Sequence, residues 1–390
     1  MNTVRLTTAQ AIVRYLVAQR TVIDGKEVQL FGGAFGIFGH GNVVSLAEAL
    51  YPVQDVLPTW RGHNEQSMAL AAVAYAKAMR RRQIMIATSS VGPGSSNMIT
   101  AAATAHANRL PLLLFSGDTF QHRFVDPVLQ QIEHFDSPST TVSDAYRAVT
   151  RYWDRITRPE QIIQSLPQAV ATLIDPADCG PVYIGLPQDI AAEAYDYPTE
   201  FFKTQVHYIR RPIADPRDIE RAAETLLAAE KPLIIAGGGV HYSCAVAELT
   251  AFAEKHGIPV TETVAGKSTL LADHPNFVGP LGVTGSTSAN AMADDADVVL
   301  AVGTRLQDFT TGSWSVFGNE SMSLVSLNVG RFDATKHQAI SVIGDAKTSL
   351  EALEQAVGDY HAPASWLERG AAELRSWYGY LDEFTSSDYD

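Results

Sequence analysis

Apolar residues recur at helical spacing over residues 9–19, where Thr7 and Thr8 offer capping oxygens, and the pattern predicts an amphipathic helix. Residues 23–27 read as a turn around Asp24 and Gly25. Residues 28–42, VQLFGGAFGIFGHGN, are a β-like run interrupted by Gly32, Gly33, Gly36, Gly39 and Gly41, which predicts a strand with a glycine-rich exit. Residues 66–79 are small or helix-favouring with little polar surface, so they predict a helix buried on most sides. A β-like run at 83–89 leads into the stiff turn Gly92-Pro93-Gly94. Ser95, Ser96 and Asn97 then offer N-cap oxygens to a helix that runs to residue 107. A leucine-rich strand follows and ends at Gly117-Asp118.

Residues 123–143 are a polar, proline-interrupted connection, and 144–158 and 159–173 predict two helices. Residues 180–190, GPVYIGLPQDI, predict a short strand, and 197–213 a linker. Beyond it, helical patterns at 219–230 and 245–256 alternate with apolar runs at 231–240, 258–263, 297–302, 323–328 and 339–343. Alternation of this kind implies a parallel, Rossmann-like α/β sheet. Residues 363–390 read as helical and then acidic.

The 390 residues suffice for two or three domains, and the net charge of −14 argues against nucleic acid or an anionic membrane as the main partner. The two cysteines, Cys179 and Cys244, lie far apart without CxxC spacing, so neither a disulfide nor a zinc site is expected, and a reducing cytoplasm fits. No signal peptide and no bilayer-length apolar run is visible.

Candidate chemistry centres on Glu65, which stands at the mouth of the apolar 66–79 helix. It reads either as a first-turn acid satisfying the helix dipole, or as a carboxyl group in a dry pocket able to exchange a proton. The Gly92-Pro93-Gly94 turn lacks the Gly-Lys-Ser/Thr ending of a phosphate loop and the GxGxxG spacing of a dinucleotide site. It is expected to meet a flat, uncharged group. Gly237-Gly238-Gly239 has no convincing acidic ribose partner after it and is expected to be structural.

Asn64-Glu65-Gln66 before an alanine-rich helix, then a strand, Gly-Pro-Gly, a Ser/Asn-started helix and an apolar strand ending in Gly-Asp together resemble thiamine diphosphate enzymes of the acetolactate synthase type. The resemblance implies two doubly wound, parallel-sheet (Rossmann-like) domains. These are a pyrimidine-binding domain over 1–195 and a central domain over 214–360, joined by a linker at 196–213 and followed by a helix and acidic tail at 361–390. It implies that Glu65 hydrogen-bonds a ring nitrogen of the aminopyrimidine and promotes the tautomer that deprotonates the thiazolium carbon. Gly92, Pro93, Gly94 and Asn97 match the cofactor-facing turn. In such enzymes the loop after the first strand faces the reacting end of the cofactor, so His40 and Asn42 read either as substrate-facing or as a structural polar turn. Gln121 and His122 stand where related decarboxylases carry paired histidines, and Gln130 lies near a site glutamine.

FGIFGHGN, GHNEQSM and the insertion IDGKEVQ are most similar to the branch that opens a trihydroxycyclohexane-1,2-dione ring in inositol degradation. This implies hydrolysis of a carbon–carbon bond in a cyclic dione to 5-deoxyglucuronate, with Glu65 activating the cofactor and His40 or His122 shuttling protons. An acetolactate synthase-like carboligase, a 2-oxoacid decarboxylase and a non-catalytic scaffold are the alternatives. Family members continue into a third domain whose Gly-Asp-Gly motif and a downstream Asn hold Mg²⁺ and the diphosphate. No Gly-Asp-Gly occurs here, Gly344-Asp345-Ala346 being the nearest string, and no metal ligand is assigned to this chain. The expectation is therefore a homodimer or homotetramer in which the missing domain comes from elsewhere, as a separate chain or the rest of a truncated one. The polypeptide alone is expected to bind the cofactor poorly and not to turn over.

Overall fold

Short runs of leucine, isoleucine and valine between helices pair side by side as parallel strands in the computed structural model, which describes residues 2–125, 128–132 and 134–385. The chain divides into two units, Met1–Arg210 and Arg211–Asp390. The first contains β1 (Thr3–Thr7), β2 (Gln19–Ile23), β3 (Lys26–Gln29), β4 (Phe31–Ile37), β5 (Thr59–Arg61) and β6 (Ile84–Ser89). It continues with β7 (Leu112–Asp118), β8 (Tyr152–Arg155), β9 (Pro181–Pro187), β10 (Ala194–Pro198) and β11 (Gln205–His207).

Its main sheet has six strands in the order β5-β4-β6-β7-β9-β8, every neighbouring pair parallel. β6, β7 and β9 are buried along their whole length, as strands covered on both faces must be. Ile86, Leu113, Phe115 and Ile184 join Ile12 and Leu16 of the helix Thr8–Val17 in one core. Each such side chain contributes about 1.5–3 kcal/mol by leaving water. From β4 the chain first steps outward to β5 and then returns to β6 on the other side. The crevice at the carboxyl ends of β4 and β6 is therefore a topological switch point, where open α/β sheets bind ligands.

Several expectations shift. The first helix ends at Val17, because Gln19 already belongs to β2 and pairs with Gln205. Asp24 and Gly25 make the tight β2–β3 turn with φ of 50° and 77°. The run 28–42 is not one strand: β3 ends at Gln29, β4 begins at Phe31, and Gly39–Asn42 is a helical turn. Residues 144–158 do not form a helix. A Thr141 capping box starts only the short turn Val142–Tyr146, and Tyr152–Arg155 then pairs with β9, so sheet pairing overrides helical pattern. Residues 196–213, read as a linker, contain most of β10, which pairs with β1, and all of β11, which pairs with β2. Part of the 123–143 connection, residues 126, 127 and 133, lies outside the described residues, as does the acidic end 386–390.

The second unit contains β12 (Pro232–Ala236), β13 (Val260–Glu262), β14 (Phe277–Pro280), β15 (Val298–Val302), β16 (Ser323–Asn328) and β17 (Ile340–Ile343). They form a parallel sheet in the order β14-β13-β12-β15-β16-β17. β14 and the helix Thr287–Asp295 have no counterpart in the pattern reading, because their apolar runs are short. The glycine run after β12 has a packing cause. A Cβ on Gly239 would stand 2.6 Å from Gly303 Cα, and one on Gly237 2.5 Å from Gly303 O. Asp345 caps the helix Ala346–Val357 and pairs with Arg211 at 3.0 Å, so Gly344-Asp345-Ala346 is a helix start. Cys179 and Cys244 are both free. No helix among the described residues is long and apolar enough to cross a membrane.

His256 is fully buried against Phe252, and its Nδ1–H donates to the Tyr360 carbonyl at 2.7 Å while Nε2 is buried without a partner. Burial holds its pKa below the ordinary 6.5. The unfolded chain therefore takes up a proton before the folded one does, and stability falls as the pH drops below about 6.5. Denaturant unfolding should show less stability at pH 5.5 than at pH 7.5, and His256→Phe should flatten that slope.

Candidate active site

The site assembles where the exits of β4 and β6 meet. Gly39 and Gly41 lie against Ser90: a Cβ on Gly39 would stand 2.6 Å from Ser90 Oγ, and one on Gly41 2.8 Å from the Val91 nitrogen. The Gly41 N–H donates to Ser90 Oγ at 3.3 Å. On its other side Gly41 touches the end of β7, since a Cβ on Gly117 would meet Gly41 Cα at 3.1 Å. Asn42, expected near substrate, is buried beneath this crossing. Its Nδ2 donates to Thr88 Oγ1 at 2.9 Å and to the Ser89 carbonyl at 2.8 Å, and Oδ1 lacks a partner among the described residues.

Glu65 arrives from the edge strand β5. Asn64 caps the helix Glu65–Ala78 by accepting the Ser67 N–H at 2.9 Å, so Glu65 is the first helical residue. Its half-buried carboxylate sits where the helix dipole favours negative charge. Asn97 Nδ2 donates to Glu65 Oε2 at 2.7 Å. Oε1 rests over Gly94, 3.3 Å from where a Cβ would be, and accepts no hydrogen bond among the described residues. Glu65 therefore has one oxygen held and one free.

The turn that places Gly94 and Asn97 differs from a capped helix start. Pro93–Ser96 is a separate helical turn, and the next helix, Ile99–Asn108, has no side-chain cap. Ser96 Oγ donates back to the Pro93 carbonyl, and Ser95 Oγ points away to Ser116 at 2.9 Å. Asn97 is freed for Glu65. Gly92 has φ 61°, and a Cβ there would stand 1.9 Å from the Gln130 carbonyl oxygen, so the backbone at Gln130 lies directly on the turn.

His40 is tied into the same group. Its Nε2 lies 2.6 Å from the Leu129 carbonyl, which only accepts, so Nε2 carries the proton and Nδ1 is the acceptor of the neutral ring. The exposed Gln130 meets the site through its backbone. Gln121 and His122 belong to a different cluster. Their N–H groups donate to the Asp189 carboxylate at 3.0 Å each, at the end of β9. His122 Nδ1 accepts the Phe124 N–H at 2.9 Å. The structure thus brings together His40, Gly92, Pro93, Gly94, Asn97, Glu65 and the Gln130 backbone, and ties Gln121 and His122 to Asp189.

Sequence reading missed the buried support. Asp118 ends β7 with no exposure and pairs with Arg155 at 2.6 Å. No local signal marks Arg155 as its partner, 37 residues away on an edge strand. Among the described residues no group of three or more His, Cys, Asp or Glu is placed to hold a metal ion.

A switch-point crevice with a half-free carboxylate at a helix start and a glycine facing it fits an aminopyrimidine, which is flat and offers ring nitrogens. Residues 31–137 match the family described as "Thiamine pyrophosphate enzyme, N-terminal TPP binding domain", and residues 219–353 match its central domain. The chain belongs to the thiamine pyrophosphate enzymes, of which it carries these two domains. It is 49% identical over 360 residues to 3D-(3,5/4)-trihydroxycyclohexane-1,2-dione hydrolase of Geobacillus thermodenitrificans, covering 92% of this chain and 56% of that protein. A Bacillus cereus protein of the same name, numbered 1, is 50% identical over 364 residues, covering 93% and 56%. A Clostridium perfringens hydrolase of that name is 46% identical over 386 residues, covering 99% and 60%. The chain therefore spans less than two thirds of the length of these relatives.

The two glycines of the turn should respond differently to substitution. Gly92→Ala forces a positive φ and a backbone clash, and should lower the unfolding free energy by roughly 2 kcal/mol or more. Gly94→Ala should change it by less than about 1 kcal/mol, since its Cβ meets only the Glu65 carboxylate and Ser90. Parallel urea unfolding curves decide this.

Proposed function

We propose that this chain is the pyrimidine-side portion of a thiamine diphosphate-dependent hydrolase that opens trihydroxycyclohexane-1,2-dione at a carbon–carbon bond, giving 5-deoxyglucuronate in inositol degradation. The observation that carries the reading is the Glu65 carboxylate, with Oε2 fixed by Asn97 and Oε1 free over Gly94. The names of the relatives supply the substrate. Bound thiamine diphosphate supplies the electron sink for the bond that breaks.

Each residue has a definite task in this reading. Glu65 Oε1 exchanges a proton with a ring nitrogen of the aminopyrimidine, and the Asn97 amide keeps the carboxylate from rotating. Gly94 gives the ring close approach. His40 Nδ1, just past the β4 exit, takes or returns a substrate hydroxyl proton, with Nε2 anchored on the Leu129 carbonyl. The Gln130 backbone packs on Gly92 of the turn. We further propose Mg²⁺ on a diphosphate-binding domain outside these residues, for which the extra length of the relatives leaves room. An assembly of two or four subunits and a cytoplasmic location complete the proposal.

The test is product analysis on the full-length protein with cofactor and Mg²⁺. Ring opening of the dione, with no turnover of pyruvate, is expected. Glu65→Gln should lower the rate about 10²–10⁴-fold, as loss of a positioned acid–base group does. Pyruvate decarboxylation or carboligation without ring opening would overturn the substrate, and full activity of Glu65→Gln would overturn the role of Glu65.

A further inference from the structure

Beneath the turn runs a line of buried hydroxyls that the reaction itself does not use. Ser95 Oγ donates to Ser116 Oγ at 2.9 Å, Ser116 Oγ lies 2.6 Å from the Tyr183 hydroxyl, and Tyr183 lies 2.8 Å from Ser143 Oγ. Ser143 Oγ then reaches Asp118 Oδ2 at 2.6 Å. All five residues are fully buried. Asp118 Oδ2 also receives Thr141 Oγ1 at 3.0 Å and Arg155 Nε at 2.6 Å, and Oδ1 receives the Thr119 N–H at 2.7 Å.

The protons in this line can point only one way. A carboxylate paired with a guanidinium accepts and does not donate, so the Ser143 proton is committed to Asp118. Tyr183 must then donate to Ser143, and Ser116 to Tyr183. The Ser95 proton goes to Ser116. Burial and the Asp118 charge push the Tyr183 hydroxyl well above its ordinary range, so it keeps the proton it donates. Each bond fixes the next, and the Asp118–Arg155 pair sets the sense of the whole line.

The line ends on the turn that carries Asn97. Tyr183 stacks on Tyr146 with ring centres 3.8 Å apart, and the Tyr146 hydroxyl donates to the Ser95 carbonyl. Ser95 is thereby held at both its side chain and its backbone. Two residues on, the Asn97 N–H bonds the Pro93 carbonyl at 3.1 Å and its side chain reaches Glu65. Gly185 leaves the space the line needs, since a Cβ there would stand 2.7 Å from Ser143 Oγ.

We propose that Ser116 and Tyr183 are positioning residues for Glu65: the one-way hydroxyl line from the Asp118–Arg155 pair fixes the 92–97 turn, and through Asn97 it fixes the carboxylate. The inference rests on the reading of Glu65 as the group that activates the cofactor. Tyr183→Phe keeps the ring stack and removes one hydroxyl from the middle of the line. Ser116→Ala cuts it at a smaller side chain and serves if the tyrosine variant does not fold.

Two measurements test it. On the chain without cofactor, amide hydrogen exchange at Ser96, Asn97 and Met98 should quicken roughly tenfold in either variant, the scale of losing one net hydrogen bond, with β6 and β7 unchanged. On the full-length holoenzyme, exchange of the thiamine C2 proton into deuterium oxide should slow about tenfold, and adding Asn97→Ala should bring no further loss, because both changes act through one contact. Turn exchange and C2 exchange both within about twofold of wild type would overturn the proposal, as would losses that multiply with Asn97→Ala. If the unmodified holoenzyme shows no C2 exchange, the reading of Glu65 fails instead. Turn exchange then still decides whether the line holds Asn97, and an unchanged turn overturns that too.

Discussion

The first unit depends on one crossing, where the backbone leaving β4 passes between the ends of β6 and β7. Gly41 has the Val91 nitrogen and Ser90 on one side and Gly117 on the other, at distances that admit no side chain. Six parallel strands bring their carboxyl ends to one edge, and the switch of direction between β4 and β6 opens that edge at a single place. The glycines let the exits close on each other, while Asn42 bolts them together from below with two hydrogen bonds. The helix that begins at Glu65 and the turn at Gly92 are then near neighbours by construction.

Two carboxylates at this edge have opposite surroundings. Asp118 is fully buried, and receives a guanidinium, an N–H and three hydroxyls. A charge so buried is tolerated only with that many partners, and removing one partner of such a pair costs about 3–5 kcal/mol. Glu65 is half-buried with a single side-chain donor and one oxygen uncommitted. The first environment fixes an acid as an acceptor. The second leaves room for a proton to move. The division of labour proposed for the two acids therefore matches the count of donors at each carboxylate.

Much of this was legible in the sequence, and the limits have physical causes. Strands such as Pro232–Ala236 and Val298–Val302 stood out because a strand buried on both faces reads as an apolar run. Glu65 and the Gly-Pro-Gly turn stood out because an acid before an alanine-rich helix and a stiff glycine turn are local features. The Glu65–Asn97 bond spans 32 residues, and the hydroxyl line joins residues up to 67 apart, so no window of sequence contains either. Tyr152–Arg155 looked helical because its strand identity comes from β9 alone. Asn42, Gln121 and His122 were singled out by the family resemblance, but which of their atoms remain free depends on partners such as Thr88 and Asp189.

The second unit shows why the fold alone would not have located the chemistry. Its sheet is also parallel and also reverses direction, between β12 and β15, with glycines at the ends of both strands. There too an acid stands at the carboxyl end of a strand, Glu262 of β13, and burial raises its pKa. Yet Glu262 Oε2 accepts the N–H of Ser268 at 2.7 Å, within its own loop. Among the described residues Glu65 has no such bond from its own loop: its one side-chain donor comes from another element and its other oxygen is open. Two similar sheets thus carry two acids, and they differ in whether the local backbone has claimed the carboxylate, as it has at Glu262 and has not at Glu65 among the described residues.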